Sequence, residues 1–104
     1  MHDQMKSARE VWSGAEPRAY TVRELARRTR SLSGNGLPLV SESSLRAFTR
    51  RRKNPLPSFK VGEKRPHVYV FEPVLRAFLL FEQGCCDYAE VDEAARFCLM
   101  GARS

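Results

Sequence analysis

Histidine and cysteine are too sparse in this chain, and too poorly spaced, for the usual metal and redox sites. His2 and His67 lie far apart, and the three cysteines, Cys85, Cys86 and Cys98, are an odd number with two adjacent. No CxxC spacing and no cysteine with a histidine nearby is found, which argues against both a disulfide framework and a zinc site. We therefore expect reduced thiols, no metal, no cofactor, and His67 on the surface of a strand. A Ser/His/Asp or Cys/His arrangement, a carboxylate cluster within the basic segment and a glycine-rich phosphate loop are also missing, so no catalytic residue is assigned and no enzyme is expected. No apolar run approaches the roughly 20 residues that span a bilayer. The polar start MHDQMKSARE lacks the apolar stretch of a signal peptide. These absences lead us to expect a cytoplasmic protein without a membrane partner. Internal repeats and low-complexity tracts are absent as well.

What the chain does have is positive charge, unevenly placed. Its 104 residues, 42% hydrophobic and 29% charged, suit one globular core. Eighteen Lys and Arg against 12 Asp and Glu leave +6. Most of the bases are arginine, the planar cation that matches phosphate and guanine edges. Residues 18–65 carry 13 bases against Glu24, Glu42 and Glu63, a net +10. Residues 1–17 net −1 and residues 66–104 net −3. A basic middle between acidic ends steers a polyanion to one surface, and double-stranded DNA is the leading partner.

The patterning divides the chain into an N-terminal arm (1–17), a central domain (18–84) and a C-terminal acidic amphipathic helix (85–104). The arm is loose or a short helix stopped before Pro17, with Trp12 packing back on the domain. Thr21 followed by Glu24 is a capping box that opens a helix over about 21–30, with Val22, Leu25 and Ala26 on one face and Arg23, Arg27 and Arg30 on another. SLSGNGLPL is a loop. Ser41 then caps a helix over SESSLRAFTRRR, which buries Leu45 and Phe48. NPLP ends it, and SFKV and HVYVF alternate with period two around GEKRP as a basic-tipped hairpin. Glu72 and Pro73 open an apolar helix that stops near Gly84, and Asp87 with Glu90 opens the last one. Tyr69, Phe71, Phe78 and Phe81 are expected in the core. The fold class is thus mainly α with a small β-hairpin wing, a winged helix-turn-helix with an added C-terminal helix.

The segments YTVRELARRT, VSESSLRAFTRRR, PLPSFKVGEKRPHVYVF and FEPVLRAFLLF, within about residues 20–82, resemble the excisionase and MerR-type winged helix-turn-helix domains of phages and other mobile elements. The most specific match is the run of proline, an aromatic, a basic residue, Val-Gly, a basic tip and a return strand into a helix. The resemblance implies a sequence-specific DNA-binding protein that serves as an excisionase-like recombination accessory factor or a small transcription regulator. It puts Ser43, Ser44, Arg46, Ala47 and Arg50 on the recognition helix and Lys64 and Arg65, joined by Lys60, on the wing. Arg51, Arg52 and Lys53 after the helix, with Arg23 and Arg27 before it, are expected on the DNA backbone. The loop between the first two helices is longer than is usual in that family, and residues 85–104 lie beyond its minimal domain. This last helix would meet a recombinase or integrase, or another copy of the chain. The alternative is a protein-interaction module, an inhibitor or assembly factor whose basic face binds an acidic protein.

Overall fold

The computed structural model describes residues 8–32 and 37–103, with side chains over 8–30 and 37–100. Within them lie α1 (Ala8–Ser13), β1 (Ala19–Thr21), α2 (Val22–Leu32), α3 (Glu42–Thr49), β2 (Phe59–Val61), β3 (His67–Phe71), α4 (Glu72–Glu82) and α5 (Tyr88–Arg103). Five helices thus surround a three-stranded antiparallel sheet of order β1-β3-β2 in a small mixed α/β domain. The sheet corrects the expectation of a two-stranded hairpin alone. β1 is only three residues long, too short to show a period, and it forms because β3 offers it an edge: Ala19 pairs with Phe71, Tyr20 with Val70 and Thr21 with Tyr69.

Thr21 ends β1 and caps α2. Its N–H donates to Glu24 Oε1 at 3.0 Å, and the Glu24 N–H donates back to Thr21 Oγ1 at 3.2 Å, the reciprocal bonds of the expected capping box. The Thr21 backbone N–H, followed by the Thr21 hydroxyl, which also donates to Glu24 Oε1 at 3.0 Å, holds the Glu24 carboxyl below the ordinary carboxylate range. α3 starts at Ser41, whose Oγ accepts from the Ser44 N–H at 3.2 Å. It stops at Thr49, three residues before the end expected from sequence. Asn54 takes a positive φ of 51° ahead of Pro55, and the Leu56 N–H turns back to the Phe48 carbonyl at 3.0 Å. Arg51, Arg52 and Lys53 therefore occupy a turn.

β2 and β3 pair Phe59 with Tyr69, Lys60 with Val68 and Val61 with His67. That register puts Phe59 and Val61 on the face opposite Val70, the fully buried residue of the sheet, so they stay 38% and 51% exposed. Gly62 begins the tip at φ 113°, where a Cβ would come within 3.2 Å of the Arg65 carbonyl oxygen. His67 is exposed, as expected.

One core joins all the layers. Val22 and Leu25 of α2, Leu45 of α3, Val70 of β3, and Val74, Leu75, Phe78 and Leu79 of α4 are buried together. Trp12 from the arm and Val91, Ala94 and Cys98 from α5 complete the same cluster. Phe78 is buried, and Phe71 and Phe81 are half-buried against that cluster, whereas Tyr69, expected in the core, lies on the face opposite Val70 and stacks on Phe59 at 5.8 Å. The long loop of SLSGNGLPL is described only in part, since residues 33–36 lie outside the described residues.

Candidate nucleic-acid interface

Thr29 fixes where α3 sits against α2. Its hydroxyl, 1% exposed, donates to the Ala26 carbonyl at 2.8 Å and accepts from the Val40 N–H at 3.3 Å, one residue before the α3 cap. Leu37 and Val40 are buried on either side of the exposed Leu39 and anchor the returning loop. Thr29→Val keeps the shape but removes both bonds, leaving the buried Val40 N–H without its partner. We expect a loss of about 1–3 kcal/mol, seen as a lower urea midpoint at unchanged slope.

The placement of α3 opens two clefts. One, of about 630 Å³, is lined by Arg23, Ala26, Arg27 and Arg30 of α2 and by Glu42. The other, of about 400 Å³, runs from Thr21, Val22 and Arg23 past Arg46 to Pro66, His67 and Val68 of the hairpin. Helix and hairpin thus border a common groove, with Arg46 on one wall and the return strand on the other.

Of the residues assigned to the recognition helix, Ser43, Arg46, Ala47 and Arg50 are exposed. Ser44 is half-buried, and both its backbone N–H and its hydroxyl are engaged by the Ser41 cap. Arg23, Arg27, Arg52, Lys53, Lys60, Lys64 and Arg65 are exposed too. Arg51 differs. It pairs with Glu82 at 2.9 Å and lies over the Phe48 and Phe78 rings at 5.8 and 5.5 Å, so an acid and two aromatic faces already hold it.

Glu42, which sequence reading passed over, lies among these cations. Arg46 donates to its Oε2 through both Nε (3.2 Å) and Nη2 (2.8 Å), and Arg23 Nε is 3.7 Å from its Oε1. The Arg46 hydrogen bonds, with the charges of Arg46 and Arg23, hold the Glu42 carboxyl below its ordinary range. The four-residue spacing of Glu42 and Arg46 on one helix was a readable signal for this pair. Nothing in the local sequence pointed to the link with Arg23, which belongs to α2.

The thiols lie away from this groove. Burial pushes Cys86 and Cys98 up to about 11, so both remain protonated and weakly nucleophilic at neutral pH. Among the described residues no group of three or more His, Cys, Asp or Glu side chains is arranged to hold a metal ion. Nor is any helix among them long and apolar enough to cross a membrane. No protein-family model, curated protein or solved structure matches the chain.

Proposed function

We propose that the protein is a winged helix-turn-helix factor that binds double-stranded DNA, with α3 in the major groove and the β2–β3 tip on the neighbouring backbone. The observation that carries this reading is the common cleft in which Arg23 of α2, Arg46 of α3 and His67 of the hairpin meet. The order α1-β1-α2-α3-β2-β3, with β1 on the outer edge of β3, supports it, because a winged helix places its recognition helix and wing in this order. The +10 charge of residues 18–65 supports it as well. Arg46 meets base edges, Arg23, Arg27, Arg50, Arg52 and Lys53 meet phosphates, and Lys60, Lys64 and Arg65 form the wing contact. Arg51 is left out of this set because Glu82 and two rings hold it. Such a protein acts as a recombination accessory factor or a small regulator rather than as an enzyme.

Fluorescence anisotropy of a labelled duplex of about 25 base pairs across a salt series tests the reading, because each neutralised phosphate steepens the log–log slope by about 0.9. A slope of several units is expected, and no binding at low salt would overturn the proposal. Lys64→Ala combined with Arg65→Ala should weaken binding to every duplex and flatten the slope by about 2. Arg46→Ala should instead cost about 1–3 kcal/mol at one base pair of a preferred site. Equal losses on all sequences would remove Arg46 from base reading.

A second surface favours protein contact beside DNA binding. Leu99 and Met100 of α5 are 55% and 73% exposed, and Leu99 borders an apolar cleft of about 220 Å³ with Phe59, Phe71 and Val74. A recombinase or a second copy of the chain would meet the protein through 85–104.

A further inference from the structure

We infer that Glu42 is a built-in competitor for the groove, a positioning residue that holds Arg46 and Arg23 back from phosphates and so makes the protein selective. The inference rests on the DNA-binding reading above and concerns the regulation of that same site.

Glu42 is the one acid among the described residues lining the two clefts. It touches one arginine from each wall of the α2–α3 angle, Arg46 through a forked pair of hydrogen bonds and Arg23 through a longer contact. An ordinary helix-stabilising pair needs only the four-residue spacing within α3. The reach to Arg23 across the cleft is extra, and it puts a carboxylate where a DNA phosphate would otherwise bind. Its side chain is 35% exposed, so it stands at the lip of the groove rather than within the core.

The consequence follows from what each competitor offers the guanidinium. Glu42 gives the Arg46 fork a single oxygen, Oε2, shared by Nε and Nη2, and turns Oε1 toward Arg23, whereas the O6 and N7 acceptors of guanine take one donor each. A phosphate on a random duplex must displace Glu42 and also approach its negative charge. A guanine edge replaces that shared oxygen with two separate acceptors and carries no full charge of its own. Glu42 thus penalises non-specific binding more than binding at a site that satisfies Arg46. A specificity device of this kind acts against the wrong partner rather than for the right one.

The test compares the full chain with Glu42→Gln, which keeps the size of the side chain, and with Glu93→Gln, which removes the same charge on α5 where Glu93 meets Arg9 at 3.5 Å. Circular dichroism first establishes that all three are folded. Anisotropy then gives affinities for a mixed-sequence duplex and for a duplex selected from a random pool by the unaltered protein. We expect Glu42→Gln to bind the mixed duplex about tenfold more tightly, with a salt slope steeper by about 1–2 as the released arginines take phosphates. The ratio of selected to mixed affinity should fall by a similar factor, and Glu93→Gln should leave it unchanged. An unchanged ratio in Glu42→Gln, an equal fall in Glu93→Gln, or a selection that yields no preferred duplex overturns the inference while DNA binding stands. Failure of the unaltered protein to bind any duplex overturns both.

Discussion

Truncating Trp12 to alanine should lower the free energy of unfolding by about 3–5 kcal/mol, a large share of the roughly 5–15 kcal/mol that holds a domain of this size. The side chain is 1% exposed although it comes from a six-residue helix in a polar arm. Its ring meets Phe97 of α5 edge-on at 5.4 Å, and its Nε1–H donates to Glu90 Oε1 at 3.1 Å. It therefore ties the first helix to the last, and its loss opens a cavity that cannot close without moving α5 on α4. Urea unfolding followed by circular dichroism measures the effect, since the only tryptophan of the chain is gone in the variant. Trp12→Phe should cost less, because most of the ring volume remains and the Glu90 carboxylate can turn to water. A loss below about 1 kcal/mol for the alanine variant would mean that α1 is a dispensable arm.

The second large effect is expected at Glu72. This carboxylate is 5% exposed at the start of α4, where Arg28 of α2 reaches Oε1 with Nε at 2.8 Å and Arg76 reaches Oε2 with Nη2 at 3.1 Å. Arg76 also donates to the Val11 carbonyl at 3.3 Å, so the network links α1, α2 and α4. Its Nε is buried with no partner among the described residues. Arg28 lies over the Tyr20 ring at 4.4 Å, and its hydrogen bond to Glu72 raises its already high pKa. Glu72→Ala leaves the guanidinium of Arg76, only 18% exposed, without its counter-charge. The expected loss is about 3 kcal/mol, at the low end for a broken buried pair because Arg28 is 44% exposed and can hydrate. Thermal unfolding should show this as a clear fall in Tm. Replacing Glu72 by methionine together with Arg76→Leu, which removes the buried guanidinium along with its partner, should recover part of it, and no recovery would mean that packing, not charge, is the cause.

These two sites mark the division between what was legible and what was not. The capping box at Thr21 and Glu24, the Ser41 cap, the turn into β3 and the proline start of α4 were readable because each is settled within a few residues of chain. Short-range signals could not reveal β1, whose three residues gain their hydrogen bonds from a strand about 50 residues further on. They gave no sign that Arg51 would turn to Glu82 rather than join Arg50 and Arg52, because the turn at Asn54 sets its direction. The bond between Thr29 and Val40, which spans the long loop, was hidden for the same reason.

The sequence by itself determined the order of the elements from α2 onward, the basic middle and the acidic ends, since helix periods, caps, prolines and charge are local or additive properties. Only the tertiary structure decided that Trp12, expected to pack back on the domain, does so against α5, and that α5 shares the same core through Val91, Ala94 and Cys98. It alone set Glu42 between Arg23 and Arg46. The angle between two helices depends on which side chains fill the space between them, and that depends on contacts between residues distant in the chain.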